Sequence, residues 1–161
     1  MNKLDQELFT MEEYRKRSWP RLIKRLRKHI DDHASVEFRK RGFSDFKLAY
    51  MPFLFNIDLQ GITNAELAKR ACVTKQAMSK IVNELTLLGY ITNEKHSADA
   101  RSSILYLTPK GKKLVVEGKN MMAELAKKYV ALVGKENYDF MIDVLIKILE
   151  FHEGVGKKLK A

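Results

Sequence analysis

Between Gly61 and Gly89 the chain is punctuated as two short helices with almost nothing between them. Thr63, followed three residues on by Glu66, has the spacing of a capping box, and Ile62 and Leu67 stand at the matching hydrophobic-staple positions. That pattern predicts a helix to about Ala71. Thr74 caps a second helix that should stop at Leu88, with Gly89 as a left-handed terminator. Two helices joined by so short a turn can pack in few ways, so this run constrains the fold more than any other.

The arrangement is that of a helix-turn-helix, and its packing rule can be checked position by position. With Asn64 as the first residue of the unit, the fifth must be small because the helices cross there, and it is Ala68. The fourth, eighth, tenth, fifteenth and eighteenth must be apolar, and they are Leu67, Ala71, Val73, Met78 and Ile81. The ninth sits most comfortably as glycine; here it is Cys72, which implies a small backbone cost. The same register exposes Thr74, Lys75, Gln76, Ser79, Lys80 and Asn83 on the second helix. Gln and Asn match the adenine edge in a major groove, Lys the guanine acceptors, and Ser or Thr either bases or phosphates.

The flanks read as mainly α structure with a small hairpin. Thr10 and Glu13 have capping-box spacing for a short helix, and Ser18 with Pro20 marks a second start. From there Trp19, Leu22, Leu26, Ile30, Ala34 and Phe38 recur at helical spacing until Gly42. Ser44 is expected to cap a third helix running to about Asn56, kinked or shortened by Pro52. Beyond Gly89, residues 90–94 and 103–108 read as two strands joined by the polar stretch 95–102. Thr108 and Pro109 open a long helix to about Val133, within which Gly111 and Gly118 each cost about 1 kcal/mol relative to alanine and should fray its start. A last amphipathic helix carries Tyr138, Met141, Val144, Leu145, Ile148 and Leu149, followed by a basic tail over 154–161 that should be loose.

Composition decides the partner class only once it is localised. The chain has a net charge of +10. Residues 11–41 carry eleven basic against five acidic side chains, and residues 61–113 nine against four. The excess therefore lies in two blocks, one of them on the helix-turn-helix, and favours a polyanionic partner. A single cysteine excludes an internal disulfide framework and fits a reducing compartment. The first ten residues lack the long apolar run of a signal peptide. The most apolar stretch, 48–57, contains Pro52 and falls far short of the roughly 20 residues a membrane helix needs. A cytoplasmic protein without a membrane partner is expected.

Residues 61–114 resemble the winged-helix MarR family of bacterial transcriptional regulators. The resemblance rests on TKQAMSKIVNEL (74–85), LGYI (88–91), Asp99-Ala-Arg101 and Leu107-Thr-Pro-Lys-Gly111. It implies a homodimer in which residues 1–42 and 109–153 form a helical dimerisation region and 43–108 the winged helix-turn-helix domain. It implies duplex DNA as partner, with a pseudopalindromic operator, and repression that a small effector lowers. Thr63 and Thr74 would then hold phosphates, and Lys75, Gln76, Ser79, Lys80 and Asn83 would face bases or nearby phosphates. Arg101, oriented by Asp99, would enter the minor groove, where an arginine reads width and negative potential. By the same resemblance Trp19, Tyr50, Met51 and Phe55 line an effector cleft. A winged-helix module that uses the same surface to bind protein is the alternative.

Other features carry less. His29 and His33 lie four apart with Asp32 and Glu37 near, a weak metal signal more in keeping with solvated histidines. Cys72 reads as a small packed turn residue rather than an oxidation sensor. No HExxH, CxxC or nucleophile–base pair argues for an enzyme, and no cofactor or metal is expected.

Overall fold

The computed structural model describes residues 4, 5, 8, 11–96 and 99–154; the side chains of 12, 13, 95, 96 and 99–102 lie outside that description. Helix α1 spans Met11–Arg17 and α2 Trp19–Lys40, with Ser18 as the extended residue between them and Pro20 in the first turn of α2. Proline is tolerated there because the first amides of a helix have no internal acceptor. Thr10, the expected cap of α1, and the tail from residue 155 lie outside the described residues.

The third helix differs from expectation. Residues 44–47 are not helical; a 3₁₀ turn, Leu48–Tyr50, leads into the short helix α3, Met51–Phe55. Pro52 does not kink a longer helix but sits in the first turn of this one. A helix running from Ser44 would have left the carbonyl of Leu48 without its donor at Pro52, and restarting the helix at Met51 removes that loss.

Strand β1 (Ile62–Thr63) leads into α4 (Asn64–Arg70), then α5 (Lys75–Leu87), β2 (Ile91–His96), β3 (Asp99–Leu107), α6 (Pro109–Val133) and α7 (Lys135–Glu153). The sheet is antiparallel in the order β1-β3-β2, with Ile62 opposite Leu105 and Ile91 opposite Leu107. Strand β1 is too short to leave a period-two pattern in the sequence. The hairpin is longer than expected, because residues 95–96 and 99–102 belong to its strands.

The molecule divides into two compact units, Met1–Gly118 and Lys119–Ala161. The division falls inside α6, and α2 lies in the first unit. The reason is visible in the packing: Arg41 Nη1 reaches Glu117 Oε2 at 2.7 Å, and Phe38, Met51 and Phe55 close around Gly118. In the first unit Leu54, Leu67, Met78, Leu85, Tyr90, Leu105 and Leu114 are fully buried. Each aliphatic side chain among them contributes about 1.5–3 kcal/mol.

Gly111 and Gly118 are not mere weak points of α6. A Cβ at Gly111 would collide with the carbonyl oxygen of Tyr90, and one at Gly118 with the end of Met51. Their absent side chains let the helix approach the hairpin and α3, so the propensity loss is offset by packing.

Candidate nucleic-acid interface

Both helix-turn-helix caps are made. Thr63 Oγ1 accepts the amide of Glu66 and Thr74 Oγ1 that of Ala77, each at 3.2 Å. The reciprocal half of the first capping box is absent, because the Glu66 carboxylate accepts Arg70 Nε at 3.3 Å instead. Thr63 itself is paired within the sheet, opposite Ile104. Leu67 and Ala68 are buried at the helix crossing, while Ala71, Val73 and Ile81 are only half-buried. Val82, outside the expected apolar set, is buried with Met78 and Leu85 on the inner face of α5. Cys72 takes φ +53°, the one positive value at a non-glycine among the described residues. Contrary to the packed position expected, its side chain is exposed.

Burial of Met78, Val82 and Leu85 fixes the rotation of α5 and leaves Lys75, Gln76, Ser79, Lys80 and Asn83 together on the exposed face, with Thr74 at its start. Ser79 is the most constrained of them. Its hydroxyl donates to the Lys75 carbonyl at 2.9 Å and takes a long 3.4 Å bond from Asn64 Nδ2. It can offer a lone pair outward while its proton stays on the helix. Asn64, fifteen residues upstream, was not among the expected site residues; only the folded crossing of α4 and α5 brings the pair together.

Charge on this face is arranged, not merely abundant. Lys75 and Lys80 have no ion pair among the described residues, whereas α2 internally pairs Arg27 with Asp31, Lys28 with Asp32 and Lys40 with Glu37, and its C-cap residue Arg41 also reaches Glu37. Glu84, the one acid of α5, is held from behind: Lys47 Nζ lies at 2.8 Å and the Tyr50 hydroxyl donates to the same oxygen. The Lys47 hydrogen bond, then that of Tyr50, holds the Glu84 carboxyl below the usual glutamate range. The pairing with Glu84 correspondingly pushes Lys47 up.

A second latch seats the hairpin. Tyr90 Oη donates to Asp45 Oδ1 at 2.7 Å, and Lys110 Nζ reaches Asp45 Oδ2 at 2.6 Å while lying 4.2 Å from the Tyr90 ring centroid. The bonds from Lys110, then Tyr90, hold Asp45 below the ordinary aspartate range; burial, then Asp45, pushes the Tyr90 phenol well up. Thr108 Oγ1 donates to the Gly89 carbonyl at 2.6 Å and accepts the Gly111 amide at 3.1 Å, joining the end of α5 to the start of α6. Apart from the Thr108 cap, sequence spacing gave no sign of these contacts.

Asp99 and Arg101 stand on β3, with His96 opposite Asp99 after an irregularity beyond Lys95. Their side chains lie outside the described residues. The four expected cleft residues are not assembled by the chain. Met51 and Phe55 meet around Gly118, and Tyr50 is engaged by Glu84. Trp19, 67% exposed, opens α2, whereas Phe38 near its other end shares the Gly118 contact with Met51 and Phe55. At 1.5 Å per residue that is roughly 28 Å along one helix. Among the described residues no three or more His, Cys, Asp or Glu side chains cluster to hold a metal, and no helix is long and apolar enough to cross a membrane.

Two capped helices, a short leading strand and an antiparallel hairpin define a winged helix-turn-helix protein. The MarR family profile matches residues 44–102. The chain is 31% identical over 84 residues to the HTH-type transcriptional repressor YetL of Bacillus subtilis (strain 168), a match covering 52% of this chain and 48% of that protein. The chain thus spans about half the length of this curated relative. Among solved structures, Streptococcus pneumoniae FabT in complex with DNA is similar at TM-score 0.68 and 22% identity, over 85% of this chain and 99% of that one. A MarR transcriptional regulator from Methanosarcina mazei Go1 is similar at TM-score 0.69 and 20% identity, over 84% and 96%.

Proposed function

We propose that this chain is a sequence-specific, double-stranded DNA-binding transcriptional regulator, a non-enzymatic repressor that works as a homodimer and whose DNA affinity a small effector lowers. The observation that carries the reading is the rotation of α5. Its apolar residues are buried, and Lys75, Gln76, Ser79, Lys80 and Asn83 share the opposite, exposed face with no carboxylate paired to either lysine among the described residues. Such a face supplies backbone charge and base-edge hydrogen bonding together. Arg101 on the hairpin is assigned to the minor groove, with Asp99 orienting it. That YetL is named a repressor and that FabT was solved with DNA supports the same assignment.

The homodimer reading is supported by apolar side chains left exposed on one chain. On α2 these are Trp19, Leu22, Ile23 and Leu26; on α7, Phe140, Ile146, Ile148 and Leu149 among others. A two-fold dimer would set its recognition helices roughly 34 Å apart and favour a pseudopalindrome.

Selection of bound duplexes from a random pool tests the function. Enrichment of a two-fold-symmetric site, with Gln76→Ala weakening that site by about 1–3 kcal/mol and non-cognate duplex little, is the expected outcome. Arg101→Ala should weaken cognate and non-cognate binding alike. Absence of enrichment and of any salt-dependent duplex binding would leave the protein-binding module as the correct reading.

A further inference from the structure

Asn64, the first residue of α4, is half-buried, and its Oδ1 is buried with no hydrogen-bond partner among the described residues. An amide oxygen in that state has lost its water without replacement, which is unfavourable. What the side chain does make is one contact across the helix crossing, where Nδ2 donates to Ser79 Oγ at 3.4 Å. Ser79 in turn donates to the Lys75 carbonyl at 2.9 Å. A serine hydroxyl has one proton and two lone pairs. With the proton on Lys75 and one lone pair facing Asn64, a single lone pair is left for the exposed side of α5. Among the described residues Ser79 is the one side chain of that face held by another element.

We infer that Asn64 is a positioning residue for base recognition: it holds Ser79 in the rotamer that keeps the hydroxyl proton on Lys75, so that Ser79 selects a base with an exocyclic amino group. This role rests on the DNA-binding reading of α5 and adds to it the kind of base that Ser79 accepts. In the major groove adenine and cytosine present amino protons, whereas thymine and guanine present keto oxygens. A serine free to turn serves either kind, because its hydroxyl both donates and accepts. A serine restricted to a lone pair bonds an amino group, but sets two acceptors face to face against a keto oxygen. Where the duplex has displaced water, that mismatch is unfavourable. Asn64 maintains the restriction. In another χ1 rotamer Oγ would leave Nδ2, move off the Lys75 carbonyl and free its proton for the groove. The orphaned Oδ1 follows from the same role. A leucine of similar bulk would fill the space without a buried unpaired oxygen, yet could not hold the hydroxyl.

Random-pool selection with the full chain, repeated with Ser79→Ala, locates the base pair that Ser79 reads. Duplexes are then made with hydrogen in place of the adenine or cytosine amino group of that pair, or in place of its thymine or guanine keto oxygen. Loss of the amino group should weaken binding of the unsubstituted chain about fivefold, and loss of the keto oxygen hardly at all. Ser79→Ala should be indifferent to both. Asn64→Leu, which keeps the bulk and removes the donor, should bring the amino effect to about twofold or less, with the salt slope unchanged and the thermal unfolding midpoint not lowered. Asn64→Ala should act alike, and neither change should add to Ser79→Ala. A keto effect as large as the amino effect, no pair sensitive to Ser79→Ala, or an undiminished amino effect in both Asn64 variants would overturn the inference and leave DNA binding standing. A lowered midpoint with the amino effect kept would do the same, making Asn64 a structural residue only. No enrichment of any duplex would overturn the DNA-binding reading and this role with it.

Discussion

The phenol of Tyr90 donates a 2.7 Å hydrogen bond to Asp45 Oδ1, tying the root of the hairpin to the turn that leaves α2. Lys110, from the first turn of α6, completes the latch on the other carboxylate oxygen. Three segments far apart in sequence meet at one charge, which makes the latch sensitive to pH. A carboxyl held low in the folded state adds stability that is present above the ordinary aspartate value near about 4 and is lost as the pH falls through the folded value. The Tyr90 phenol, pushed up, adds stability present below about pH 10 and lost as the pH rises beyond it. Asp45→Asn should thus destabilise the protein at pH 7, and denaturant melts should show the difference fading as the pH falls below the ordinary aspartate value.

Gly111 faces the carbonyl of Tyr90 with no room for a methyl group. In an open helix Gly111→Ala would add about 1 kcal/mol of propensity. Here the collision is with backbone, so the expected net effect is a loss of about 1–3 kcal/mol in urea unfolding. An increase in stability would show that α6 can move away from the hairpin.

Cys72 occupies the left-handed region at φ +53°. That conformation costs a residue with a side chain about 1–2 kcal/mol, part of which glycine gives back as chain entropy. Cys72→Gly is expected to raise stability by up to about 1 kcal/mol, and Cys72→Ala to leave it unchanged, in thermal melts under reducing conditions.

Lys80 projects from α5 without an ion pair among the described residues. If it meets a phosphate, Lys80→Ala should lower the slope of log affinity against log salt by about 1 and weaken all duplexes to a similar degree. Gel-shift titration across a salt series distinguishes this from a base contact, which would spare non-cognate DNA.

Leu145 and Leu149 are exposed on α7, 39% and 56% respectively. Their joint replacement by glutamate is expected to give a monomer in sedimentation equilibrium while the helical circular dichroism signal is kept. A retained dimer would place the self-association surface elsewhere.

Much of the fold was legible in the sequence because its signals are local. Thr63, Thr74 and Thr108 cap within three residues of themselves, so their hydroxyl bonds to Glu66, Ala77 and Gly111 follow from spacing alone. The exposed face of α5 was legible for a similar reason, since a 3.6-residue period fixes which side chains oppose Met78 and Leu85. The stretch 44–56 was not, because a proline reads equally as a kink inside a helix or as the start of one. Which applies depends on what Met51 and Leu54 can reach, and both are buried in the folded lobe.

The amino-acid sequence by itself determined the helix-turn-helix, its caps, the polar set Lys75, Gln76, Ser79, Lys80 and Asn83, and the localisation of positive charge. Each depends on residues within a few turns of one another. Tertiary structure alone decided which charges stay available and which are spent. It placed Lys47 and Tyr50 behind Glu84 and Asn64 beside Ser79, and joined Arg41 to Glu117. Those outcomes depend on distances between segments 15 to 76 residues apart. Such distances are set by how α4, α5 and α6 pack, not by any spacing along the chain.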